Sequence, residues 1–152
     1  MICYIFNWKL EGDRIEMEKR MNKEELLELL GNLKISRNEF WILSSGALTL
    51  RNIYPDAGDL DIAVTDKGLE ELKKSYNLKP KENGWFIIDD RIECVCDGKK
   101  ESLKYQPELV QGYYLQNINE YLEYLENSIR EKDKKRIPIV KEYIKNRYGV
   151  QK

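Results

Sequence analysis

"SSGALTLRNIYPDAGDLDIAV", residues 44–64, joins a turn of small residues to a strand that carries two aspartates one residue apart. Upstream, "FWILSS" is an apolar run with β-branched and aromatic character that ends in serines, a strand entering a turn. "GALTLRN" then reads as a short helix, with Ala47, Leu48 and Leu50 available for packing. In "GDLDIAV" the side-chain period is two, so Leu60, Ile62 and Val64 point to one face while Asp59, Asp61 and Ala63 point to the other. The two carboxylates share a face, their Cα atoms about 7 Å apart. The expected unit is strand, Ser-Gly turn, helix, acidic strand.

Working outward, "KGLEELKKSYN" predicts an amphipathic helix, and "GWFIIDDRIECVCDG" a hairpin turning at Asp89-Asp90. Alternation in its second arm sets Glu93, Val95 and Asp97 on one face and Ile92, Cys94 and Cys96 on the other. "NKEELLELLGNL" predicts a helix from Asn22 with Leu26, Leu27, Leu30 and Leu33 on one side. Residues 1–20 read as a short hairpin turning at Glu11-Gly12-Asp13 or as an N-terminal extension, Met17 and Met21 both being plausible starts. The C-terminal third reads as helical. Ile118, Tyr121, Leu122, Leu125 and Ile129 recur at helical spacing behind an Asn117 or Asn119 cap. Pro138 fits the first turn of a last helix carrying Val140, Tyr143, Ile144 and Tyr148 and ending at Gly149. The expected class is therefore α/β (α+β): a small mixed sheet with flanking helices, one domain over 1–152, with the sheet-bearing core at 21–98 and C-terminal helices at 108–149.

A chain of 152 residues encloses one core and is too short for two well-separated ones. Lys and Arg total 26 against 27 acids, so no whole-protein field draws nucleic acid or an anionic membrane, and any anion site is local. There is no histidine, which removes the commonest general base and the commonest transition-metal ligand and argues against zinc chemistry. Cys3, Cys94 and Cys96 are odd in number and lack metal-ligand spacing, which predicts a reducing, cytoplasmic setting. No apolar run is long enough for a bilayer, and "MICYIFNWKL" lacks the basic start and cleavage site of a signal peptide.

Paired carboxylates beside a Ser-Gly turn are the parts that hold magnesium against a triphosphate, because hard cations take oxygen ligands from one or two carboxylates and from substrate phosphates. A turn without bulky side chains lets amides and hydroxyls reach phosphate oxygens. The segments "WILSSGALTLR", "GDLDI" and "IECV" together resemble the nucleotidyltransferase superfamily, the DNA polymerase beta-like group with antibiotic-modifying and minimal toxin–antitoxin members. The resemblance covers about residues 38–97, and "SIREKDKKRIPIVKEYI" is similar to the Lys-Asp segment before a final helix in small members. It implies a Mg-dependent transfer of a nucleoside monophosphate from a nucleoside triphosphate to an acceptor hydroxyl: a small molecule, a protein or an RNA end. Asp59, Asp61 and Glu93 would be catalytic and hold one or two Mg2+ ions. Ser44, Ser45 and Gly46 would meet the triphosphate, with Arg51 and the cluster Lys132, Lys134, Lys135 and Arg136 neutralising phosphate charge.

Each of these residues also has an ordinary reading. Ser44 and Ser45 suit helix capping, Arg51 an exposed helix position, and "REKDKKR" a solvated face, since its acids interleave with its bases. Glu93 suits a cross-strand partner of Arg91 or a lysine, and Asp97 competes with it as third acid. The family turn normally opens on glycine, whereas serine stands here at 44 and 45. That departure motivates an alternative: a catalytically inactive nucleotidyltransferase-like protein acting through a homodimer or a partner protein, as an antitoxin or a phage or mobile-element accessory factor would. A third reading is RNA binding through the lysines near residue 134.

Overall fold

The computed structural model describes residues 7–11, 14–18 and 20–149, with side chains described over 20–147. In chain order the strands and α-helices are β1 (Asn7–Glu11), β2 (Arg14–Glu18), β3 (Met21–Asn22), α1 (Lys23–Asn32), β4 (Phe40–Ile42), α2 (Ser44–Leu50), β5 (Asp56–Ala57), β6 (Leu60–Thr65) and α3 (Asp66–Ser75). β7 (Lys79–Pro80), β8 (Trp85–Asp89), β9 (Ile92–Gly98), β10 (Glu108–Val110), β11 (Tyr113–Leu115), α4 (Ile118–Asn127) and α5 (Glu131–Gly149) complete them. The class is mixed α and β. Seven strands form one mixed sheet in the order β10-β11-β4-β6-β9-β8-β7, while β1 pairs with β2 and β3 with β5.

β6 sits at the centre because it is apolar enough to be covered on both sides: Leu60, Ile62 and Val64 are fully buried, and so is Ala63 on the opposite face. Burying each of the larger side chains stabilises the fold by about 1.5–3 kcal/mol. β4 runs antiparallel to β6, Ile42 opposite Ile62, and β9 runs parallel to it, Glu93 beside Asp61. α1 starts where expected, since Asn22 and Glu25 form a reciprocal capping box: the Glu25 amide donates to Asn22 Oδ1 at 2.9 Å and the Asn22 amide to Glu25 Oε1 at 3.0 Å. Leu26 and Leu30 then enter the main core. A second cluster, Leu48, Ile118, Tyr121, Leu125 and Val140, fastens α4 and α5 to α2. This second cluster brings the C-terminal helices over the acidic end of β6.

Four expectations need correction or refinement. The segment 108–149 is not wholly helical, because β10 and β11 form an antiparallel hairpin that extends the sheet beyond β4. Gln111 and Gly112 take positive φ (52° and 85°) in its two-residue turn. The β8–β9 hairpin turns at Asp90-Arg91, one residue later than expected, with a register shift between Ile87 and Asp89. Pro138 lies inside α5, which continues through it from Glu131 to Gly149. Proline removes one helix hydrogen bond, and Val140 two residues on, fully buried against α4, supplies packing that holds the helix together. The N-terminal segment is a hairpin, paired from Asn7 with Glu18 to Glu11 with Arg14. Residues 12 and 13 of the expected turn, Cys3, and the Tyr148 side chain lie outside the described residues. No helix among the described residues is long and apolar enough to cross a membrane.

Candidate functional site

Leu43, the residue between β4 and α2, donates its amide to the Asp61 carbonyl at 2.9 Å. That one bond brings the Ser-Gly turn and the acidic strand together. Ser44 adopts φ +50°, a conformation that glycine enters freely and serine only with strain. Its amide donates to Gln116 Oε1 at 3.0 Å, and the Gln116 amide donates to the Ile42 carbonyl at 2.7 Å, so the residue just after β11 latches the turn from the other side. α2 begins at Ser44, two residues earlier than expected. Nothing caps its N-terminus through a side chain, which answers the capping alternative: Leu43 is the N-cap, and neither serine serves.

Ser44, Ser45, Asp59 and Asp61 line one wall of a cleft of about 710 Å³. The opposite wall comes from the C-terminal helices: Tyr121 and Tyr124 of α4, Arg130 after it, and Lys132 and Arg136 of α5. Arg20 and the half-buried Trp85 also line it. Tyr121 and Tyr124 stack with ring centroids 6.0 Å apart and planes 14° from parallel. Arg136 donates to the Tyr121 hydroxyl at 2.8 Å, and Arg20 pairs with Asp56 at 2.7 Å. Lys132 has no ion-pair partner among the described residues and acts on Asp61 through space. Two carboxylates therefore share the cleft with four cations.

Asp61 is pushed up from 3.8 to about 6, first by burial and then by the negative charges of Glu93 and Asp59, which Lys81 and Lys132 only partly offset. Asp59 is more open, its side chain 62% exposed and 3.8 Å from Arg91 Nε. Glu93 lies beside Asp61 in the β6–β9 ladder, but Lys81 Nζ donates to both of its carboxylate oxygens at 3.0 Å. A smaller cavity of about 310 Å³ adjoins the cleft here and shares Asp61 and Trp85 with it. Among the described residues no group of three acids, cysteines or histidines closes around one point as a ready metal cage.

Several expected site residues lie elsewhere. Arg51 does not face the cleft: its guanidinium, 2% exposed, pairs with Glu108 at 2.6 Å and donates to the Gln116 carbonyl at 2.9 Å. Burial lowers its pKa, and Glu108, shared with Arg147, compensates the charge. Arg51 is a structural cation that ties α2 to β10. Gly46 is buried beneath the cleft, where an added Cβ would come within 3.1 Å of Ile42 Cγ2, so its smallness serves helix-on-sheet packing. Asp97 falls at the exposed, irregular end of β9 and lines neither cavity. Lys134 and Lys135 do not line the cleft either.

The run 130–136 is not simply a solvated face. Asp133 is fully buried, accepting from Arg130 Nε at 2.8 Å, from the other Arg130 nitrogen at 2.9 Å and from Ser128 at 2.6 Å. The Arg130 bonds hold its carboxyl down at about 2. Sequence reasoning missed Gln116, Arg20, Lys81 and Trp85, each of which reaches the site from a segment outside residues 44–64. No family model, curated protein or solved structure matches the chain.

Proposed function

We propose that the protein binds a nucleoside triphosphate in the large cleft and transfers its nucleoside monophosphate to an acceptor hydroxyl, the activity implied by its resemblance to nucleotidyltransferases. The observation that carries the reading is the Leu43 to Asp61 backbone bond, which sets the Ser44-Ser45 turn against Asp59 and Asp61 at the foot of a cleft lined by four cations. Phosphates would meet the serine hydroxyls, Lys132, Arg130 and Arg136, and the exposed Tyr124 ring offers a stacking surface for the base. Asp59 and Asp61 are hard oxygen donors that open on the cleft and suit one magnesium ion shared with phosphate oxygens. When bound, such an ion would withdraw charge from the α-phosphate and fix its orientation. The acceptor hydroxyl would attack the α-phosphorus and give up its proton to water in the open cleft, the bond from the α-phosphorus to the bridging oxygen would break, and pyrophosphate would leave.

Titration calorimetry with ATP, GTP, CTP and UTP in magnesium tests this directly. Binding of at least one nucleotide is expected, with a loss of tenfold or more in the Asp59→Asn/Asp61→Asn variant. Binding that is absent, or indifferent to both substitutions, would sink the proposal. A second reading, nucleotide binding without transfer, has one observation behind it: Glu93, the third acid expected to be catalytic, is already held by Lys81. Turnover of an α-labelled triphosphate separates the two. The unpaired thiols Cys94 and Cys96 support placement in a reducing cytoplasm.

A further inference from the structure

We infer that Lys81 stands in for a second divalent cation, so that the site works with one metal ion and one fixed ammonium. The inference rests on the nucleotidyl-transfer reading and refines it. In two-metal transfer, two ions about 3.5–4 Å apart are held by a cluster of acids. Here the acid that would complete such a cluster has both oxygens committed to the Lys81 ammonium, each at 3.0 Å.

The lysine is held in place by the sheet. Its amide donates to the Trp85 carbonyl at 2.7 Å, directly after β7, whose Lys79 and Pro80 pair with Ile87 and Phe86 of β8. Ile87 in turn pairs with Glu93, and Glu93 with Asp61, so one row runs Lys79, Ile87, Glu93, Asp61 across four strands. Lys81, two residues beyond Lys79, emerges on the same face as that row and reaches its carboxylates. Its charge acts on Asp61 and Asp59 as well as on Glu93. Three carboxylates against this one ammonium leave two negative charges, which a single divalent cation neutralises, and Arg91 near Asp59 lowers the demand further. A second divalent ion held by Glu93 would have to displace the lysine from both carboxylate oxygens.

The test counts manganese ions bound to the full chain by electron paramagnetic resonance, with a nonhydrolysable triphosphate present. One ion per wild-type chain is expected. Lys81→Met, which frees Glu93, is expected to bind two, and Lys81→Arg to restore one. Two ions on the wild type, or one on Lys81→Met, would overturn the assignment. The Asp59→Asn/Asp61→Asn variant keeps the two ideas apart: wild-type manganese binding lost in that variant with no effect of Lys81→Met overturns only the role of Lys81. No manganese on any variant overturns the transfer reading with it. Because Lys81 is exposed on the sheet edge, a thermal melt of each variant checks that the counts come from folded protein.

Discussion

Replacing Asp61 by asparagine should make the protein more stable at neutral pH, because the native carboxylate is held where its charge is unwelcome. The folded state keeps the Asp61 proton up to about pH 6, whereas the ordinary value is 3.8, and one pKa unit is worth about 1.4 kcal/mol. The penalty on the ionised form is thus about 3 kcal/mol at most, and solvent in the open cleft reduces it to an expected ~1–3 kcal/mol. The sign follows from proton linkage. As pH rises through 3.8 the unfolded chain releases this proton first, so the folded state loses relative stability until its own group titrates near 6, and the loss is complete above that. Asparagine never ionises. The melting temperature of Asp61→Asn should therefore match the wild type at about pH 3.5 and exceed it by roughly 2–12 °C at pH 7.5, using about 2–4 °C per kcal/mol for a domain of this size. Scanning calorimetry or urea unfolding across that range reads the effect. A difference that does not grow between acidic and neutral pH, or a variant less stable than wild type at pH 7.5, would refute the assigned cause.

Two further substitutions probe the elements around the site. Ser44→Gly removes a non-glycine residue from φ +50° and should raise the urea midpoint, by about 0.5–1 kcal/mol in stability; an unchanged or lower midpoint would show that the Gln116 latch already absorbs the strain. Arg51→Met leaves Glu108 with Arg147 and the Ile118 amide and should destabilise the fold by about 2–4 kcal/mol, while nucleotide affinity in the folded variant stays within twofold of wild type. A selective loss of affinity would return Arg51 to the binding site.

The β4–α2–β6 unit was legible because each part has its own local signature: an apolar run, small turn residues, then strict alternation through Leu60, Ile62 and Val64. β10 and β11 were not, since each has only three residues and the tyrosines around 113 also fit a helical spacing. The usable signal was Gln111-Gly112, a turn pair between two short alternating runs. The misplaced hairpin turn has a different cause, for the register shift between Ile87 and Asp89 is invisible to a count of alternating residues.

The two sides of the cleft differ in the same way. Asp59 and Asp61 are neighbours on one strand, so period two alone assigns them a common face. The cations opposite depend on how α5 is rotated, and Asp133 sets that rotation. Its buried carboxylate binds Ser128 and Arg130 and anchors the first turn of α5, which leaves Lys132 and Arg136, four residues apart on one helix face, turned toward the acids. A run of interleaved charges therefore hides an anchor among solvated residues, and only tertiary packing separates them. Lys81 is harder still to find, because its partner is fixed by the alignment of three strands. A slip of β7 by one residue would send Lys81 to the opposite face and release Glu93. The pairing of Lys81 with Glu93 thus follows from strand register, a property that no motif in the acidic strand itself encodes.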